Sequence, residues 1–141
     1  MIRYFIALLF LWSCQDKSVM VSDPTIIPKP VKMVLTQGIY YWNLNTKIIC
    51  DNSFVNEKIY FQKIFSIKEG EGENIIQFKK NIQLLNEEYL LKILKNKIII
   101  EASSSNGIIH GIQSLRQIVP ITDNKSSVKI SINCLEIHDF P

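Results

Sequence analysis

Alanine is nearly missing from this sequence: Ala7 and Ala102 are the only two in 141 residues, while isoleucine and lysine abound. The bias favours strands. A strong excess of either charge is also missing. The net charge is only +3, the lysines are scattered and no basic helix face emerges, so no nucleic-acid partner is expected. No apolar run approaches the ~20 residues of a membrane-spanning helix. Three cysteines are present, Cys14, Cys50 and Cys134, and no ligand spacing joins them to His110 or His138. Neither a metal nor any other cofactor is therefore expected. Cys50 and Cys134 belong to no spacing motif, and buried free thiols are their expected state. There is no internal repeat and no low-complexity block. Apolar residues make up 47% and charged residues 21%, which excludes global disorder and allows one modest domain.

The start of the chain is informative. Met1, Ile2 and Arg3 form a short positive region, and Tyr4 to Trp12 is an apolar run of export-signal length. The run closes on Leu11-Trp12-Ser13-Cys14. An aliphatic residue, a bulky Trp12, a small residue and then cysteine are similar to a bacterial lipobox, with Trp12 larger than the pattern prefers. The thiol of Cys14 would carry a diacylglyceryl group, and cleavage before it would free an amine for further acylation. More than one acyl chain makes anchoring stable. The expected division is a lipoprotein signal peptide over 1–13, a polar tether over 14–25 and a folded domain over 26–141.

Ile26 to Pro30 carries two prolines, Pro28 and Pro30, which forbid a helix and hold the chain extended. Strands are predicted at Val31–Thr36, Ile39–Trp42 and Thr46–Cys50, with Gln37-Gly38 as a turn. Asp51-Asn52-Ser53 offers caps for a helix from Phe54 to Ile67, closed by Gly70-Glu71-Gly72. Further strands are predicted at Asn74–Phe78, Glu88–Leu94 and Lys97–Ala102, the last two joined by a Lys95-Asn96 hairpin. Ser104 or Ser105 caps a second helix over Gly107–Val119. Its stripe is Ile108, Ile112, Leu115 and Val119, and Gly107 and Gly111, one turn apart, suit close backbone approach. Val128–Ile132 and Leu135–Ile137 complete the pattern. The order predicts an α+β layer: a mostly antiparallel sheet with two helices on one face.

These segments carry a family resemblance. Ile26-Ile27-Pro28-Lys29-Pro30 resembles the Ile-Pro-x-Pro segment that opens the N-terminal domain of family 20 glycoside hydrolases. Gly38-Ile39-Tyr40 is similar to the glycine-aromatic step that follows it there. Glu88 to Ile93, centred on Tyr89, resembles the Glu-x-Tyr-x-Leu strand. Gly107 to Gln117, with Gly111, Gln113, Leu115 and Gln117, resembles the helix Gly-x-x-x-Gly-x-Gln-Ser/Thr-Leu-x-Gln. Leu135 to Pro141, with Asp139 and Pro141, is similar to the Asp-x-Pro exit into a catalytic barrel. The resemblance covers Ile26 to Pro141. It implies a zincin-like α+β domain that packs against a (β/α) barrel, in cis or from a split gene.

Enzymes of that family remove terminal N-acetylhexosamine residues with help from the substrate's own acetamido group, an exception to the usual two-carboxylate scheme. The resemblance assigns an adjacent Asp-Glu pair to this work, the Asp orienting the acetamido group and the Glu acting as general acid and base. No Asp-Glu dipeptide occurs here. Glu87-Glu88 is the only adjacent carboxylate pair, and at a strand start its members point to opposite faces. Trp42 is the only tryptophan after the leader, too few for an aromatic cage. No catalytic, substrate-binding or metal residue is therefore expected, and the barrel is expected to be absent from this stretch. His110 reads as a partly exposed helix residue, His138-Asp139 as part of the junction, and Ser103 to Ser105 as loop and cap. The partners expected are the barrel, a membrane through the lipid, and N-acetylhexosamine glycans only by way of the barrel. The alternatives are a stand-alone lipoprotein docking module, or the similar N-terminal domain of an O-GlcNAc-type hydrolase.

Overall fold

The computed structural model of the chain describes residues 18–21, 24–120 and 129–141. Within them the strands are β1 (Ser18–Val21), β2 (Lys32–Trp42), β3 (Asn45–Cys50), β4 (Lys68–Glu69), β5 (Ile75–Lys80), β6 (Tyr89–Leu94), β7 (Lys97–Ala102) and β8 (Lys129–Asp139). The helices are α1 (Val55–Phe65), preceded by a 3-10 turn at Asn52–Phe54, and α2 (Ser105–Ile118). One sheet runs β1-β8-β6-β7-β5-β3-β4, and β2 flanks the other side of β8.

The expected α+β layer is present, and its sheet is mixed. Pairing is antiparallel where β2, β8, β6 and β7 meet, and parallel among β7, β5, β3 and β4 and between β1 and β8. The connections explain the division. A tight turn at Lys95-Asn96 makes β6 and β7 antiparallel, whereas α1 carries the chain from β3 over the sheet to a parallel β5. Both helices cover the same face. Phe61 of α1 stacks on Phe78 of β5, Gly111 of α2 sits over Ile100 of β7, and Phe78 and Ile100 are register partners. Every second residue of β6 and β7 is buried beneath them: Tyr89, Leu91 and Ile93, then Ile98, Ile100 and Ala102.

Three boundaries differ from the sequence reading. β2 is one strand, and Gln37-Gly38 is a bulge within it rather than a turn. From Leu35 to Ile39 β2 advances four residues while its partner advances two, Leu135 to Asn133, so two extra residues are absorbed. Gly38 takes φ +132°, and a Cβ there would meet the Lys95 side chain at 2.9 Å and Cys134 Sγ at 3.0 Å. β8 is likewise continuous, but its inward phase changes opposite the bulge: Ile130 and Ile132 are buried before it, Leu135 and Ile137 after it. Finally, α1 stops before Ile67. Ser66 turns left-handed at φ 52°, the Ile67 amide donates to Gln62 O at 3.1 Å, and the Ile67 side chain drops into the core. Within the stretch expected as a tether, Ser18–Val21 forms β1, and Pro24 is buried. Cys14 and the leader lie outside the described residues, as does Val128.

Candidate functional site

The motif residues, scattered along the sequence, meet along α2 and the β6–β8 edge that supports it. Ser104 caps α2, accepting from the Gly107 amide at 3.4 Å while its own hydroxyl donates to Asn86 O. Gly107 and Gly111 then face the sheet. A Cβ on Gly107 would meet Glu88 O at 2.5 Å and Ala102 Cβ at 2.7 Å, and one on Gly111 would meet Ile100 Cγ2 at 2.5 Å. Both contacts are shorter than atoms tolerate, so only glycine lets the helix lie this close. Leu115, one turn beyond Gly111, is fully buried.

Polar side chains then tie the incoming segment to this layer. Gln117 reads the backbone of Ile27 twice: its Oε1 accepts from Ile27 N at 2.9 Å and its Nε2 donates to Ile27 O at 3.2 Å. Ile26 is buried alongside, the Ile27–Pro28 peptide is cis, and Pro30 is buried while Pro28 is exposed. Asp139, at the end of β8, accepts from Val31 N at 3.0 Å through Oδ1 and from the Tyr89 hydroxyl at 3.5 Å through Oδ2. The Tyr89 hydroxyl also lies 2.6 Å from Ser114 Oγ. Burial pushes this phenol up to about 12, so it stays protonated as a donor to Asp139 across the physiological range. Gln113 reaches the other helix, donating to the Tyr60 hydroxyl at 2.6 Å. Pro141 is exposed beyond the junction.

One member of this region was not legible in the sequence. Glu88 is not a bland surface charge. It accepts from the Leu85 amide at 2.7 Å and pairs with His138 Nε2 at 2.5 Å. The Leu85 amide first, and His138 second, hold the Glu88 carboxyl below the usual glutamate range. The signal lies in cross-strand register: Leu90 faces His138, which brings the β8 histidine to the start of β6. That pairing is invisible until β6 and β8 are known to be neighbours. Glu87 is exposed and takes no part, so the two carboxylates do not converge.

The remaining candidates are structural. Ser103 Oγ donates to Leu85 O at 2.8 Å, and His110 is half-buried on α2. Trp42 packs on Phe65 with ring centroids 5.1 Å apart and forms part of the core. Cys50 and Cys134 are free thiols, Cys134 buried with its acidity lowered by that burial. Among the described residues, no cluster of three or more His, Cys, Asp or Glu side chains is placed to hold a metal ion. A groove of about 640 Å³ opens beside Lys47, Glu69, Gly70, Glu71, Gly72, Glu73 and Ile75, and no motif residue lines it. The motif residues thus fix two chain segments against the layer of α2, β6 and β8, and none of them lines this groove.

Comparison with known proteins agrees with this arrangement. Residues 23–140 match the profile described as glycosyl hydrolase family 20, domain 2. Curated proteins give no match. Among solved structures, the β-N-acetylhexosaminidase of Bacteroides fragilis NCTC 9343 is 27% identical with a TM-score of 0.65, the match covering 82% of this chain and 24% of that one. The family 20 β-N-acetylhexosaminidase of Streptomyces coelicolor A3(2) is 22% identical with a TM-score of 0.68, over 85% of this chain and 28% of that one. The family 20 exo-β-N-acetylglucosaminidase of Vibrio harveyi is 23% identical with a TM-score of 0.66, over 81% of this chain and 18% of that one. This chain therefore spans less than a third of the enzymes it resembles, and the part it spans settles its kinship: it belongs to glycosyl hydrolase family 20, whose domain 2 it carries.

Proposed function

We propose that this chain is the non-catalytic scaffold of a β-N-acetylhexosaminidase-type enzyme, seating a catalytic (β/α) barrel that removes terminal N-acetylhexosamine residues from glycans. In this reading a diacylglyceryl group on Cys14 holds the assembly in a bacterial cell envelope, in the periplasm or at the outer-membrane surface. One observation carries the proposal. Asp139 and Gln117 bind the backbone of the incoming segment, at Val31 and Ile27, while Tyr89 and Ser114 brace Asp139 from behind. The direction in which the chain leaves through Phe140 and Pro141 is thereby fixed to the sheet. A rigid exit is what a domain needs in order to orient a neighbour. Chemistry needs something else: a general acid at the leaving oxygen alone contributes typically 10²–10⁴-fold, and the sequence here holds no Asp-Glu pair of the kind the family resemblance assigns to that work.

The test is a purified chain from Cys14→Ser to Pro141, assayed with a chromogenic N-acetylglucosaminide alone and with a separately expressed barrel encoded downstream of the Pro141 codon. The expected result is no turnover by the chain alone, and activity or stability of the barrel that rises when the two are combined. Turnover by the repurified chain with a sharp pH optimum, or a barrel indifferent to its presence, overturns the proposal.

A further inference from the structure

Strand β1 begins at Ser18, four residues after Cys14. Four peptide units reach at most about 14 Å whatever their conformation. The headgroup zone of one leaflet is itself about 6 Å thick. An acyl anchor on Cys14 therefore keeps the Ser18 end of the sheet at the bilayer surface. This inference rests on the lipoprotein reading.

What the sheet presents at that end suits such a surface. Three strands lie abreast there: Met20 of β1 is in register with Ser131 of β8, and Ser131 with Tyr41 of β2. Ile130, Ile132 and Tyr40 are buried on the core side, so strand alternation turns Met20 and Tyr41 to the other face. They are 57% and 62% exposed, two large side chains flanking a serine. The row is two residues, about 7 Å, from the Ser18–Lys129 row where the strand pair begins. Tyrosine favours the membrane–water interface, with its ring among the headgroups and its hydroxyl in water, and methionine adapts to irregular apolar surfaces. The strand is fixed here, because Asn74 Nδ2 donates to Tyr41 O at 2.7 Å.

We propose that this end of the sheet, led by Met20 and Tyr41, docks on the lipid surface that holds Cys14. The exit at Asp139 stands at the opposite end of β8, ten residues and about 33 Å away, so a barrel following it is held clear of the membrane.

The experiment uses the chain recovered from its native membrane and reconstituted into phosphatidylethanolamine–phosphatidylglycerol vesicles with brominated acyl chains, which quench nearby tryptophan. Tyr41→Trp adds a fluorophore at the proposed contact. Ile82→Trp adds one at a residue 83% exposed, just past β5 and near the Asp139 end of the sheet. The expected result is loss of the added Tyr41→Trp emission and none of the Ile82→Trp emission, each measured against the Trp42 signal of the unaltered chain. Mass spectrometry of the same samples separates the two ways of failing. Acylated Cys14 with unquenched Tyr41→Trp, or equal quenching at both positions, overturns the docking surface alone. An unacylated chain overturns the anchor and this inference together.

Discussion

The two helices lie on the same face of one sheet and are held there by opposite means. Helix α2 is fastened by shape and by directed bonds. Gly107 and Gly111 bring its backbone against β6 and β7, and Ser114, Gln113 and Gln117 each make a defined hydrogen bond to another element. Helix α1 is held by bulk. Phe61 and Phe65 stack at 4.6 Å and spread onto Phe78 and Trp42. Its side is also looser in polar matters. Glu57 Oε2 is buried without a partner among the described residues, and Val55 and Ile59 are 48% and 59% exposed. Aromatic packing tolerates exchange if volume is kept, whereas a close backbone approach admits no side chain at all. One of the segments that resemble the family accordingly falls on α2, at the two glycines that leave no room for a side chain.

The comparison can be tested by breaking each attachment. Phe61→Ala should have the largest effect, about 3–5 kcal/mol of lost stability, because a fully buried ring leaves a cavity beneath α1. Urea denaturation reads this directly, and partial rescue by Phe61→Leu would mark the α1 contact as one of volume. Gly111→Leu comes next, at about 1–3 kcal/mol from overpacking against Ile100 and Tyr89. Here a smaller residue should still hurt, so an unchanged midpoint for Gly111→Ala would show that α2 is free to lift and would erase the contrast. The smallest effect separates two buried tyrosines. Burial raises both Tyr40 and Tyr89 to about 12, with Thr46 beside the Tyr40 hydroxyl and Ser114 beside the Tyr89 hydroxyl each pulling the value partly back; among the described residues only the Tyr89 hydroxyl makes hydrogen bonds of ordinary geometry. A phenol whose folded pKa exceeds its unfolded value of 10 contributes stability in full below pH 10 and loses it as pH rises toward 12. Tyr40→Phe should blunt that alkaline loss at almost no cost near neutrality, whereas Tyr89→Phe should blunt it and also lose about 1 kcal/mol with its bonds. Identical neutral-pH stabilities for the two variants would contradict the part given to Ser114 in fastening α2 to the sheet through Tyr89.

Much of this was legible in the sequence because local rules governed it. The β6–β7 hairpin, the buried stripe of α2, its serine cap and the two close glycines all depend on residues within a turn or two of one another. The bulge in β2 was misread because a Gln-Gly pair signals a turn locally. Only the long partner strand β8, pairing on both sides of it, shows that the chain continues straight. Ser66 was missed for a related reason: a serine carries no helix-stop signal, and the left-handed turn is imposed by the burial of Ile67. Of the junction, Asp139 and Gln117 could be marked by resemblance to the family motif. Their partners are backbone atoms 108 and 90 positions away, which no spacing rule reaches.

The position of β8 has a consequence for how the chain is made. It is last in the sequence yet paired along both sides, with β2 on one side and β1 and β6 on the other. Lys32 must wait for His138, more than a hundred residues later, before its strand has a neighbour. At synthesis rates of about 5–20 residues per second that delay is on the order of 5–20 s. Through that interval β2 presents an open edge, joined by β6 once it is made, and pairings so distant in sequence form slowly. A polypeptide that cannot close its sheet early stays open and threadable for longer. The same delay makes the unfinished chain a client for any factor that shields strand edges.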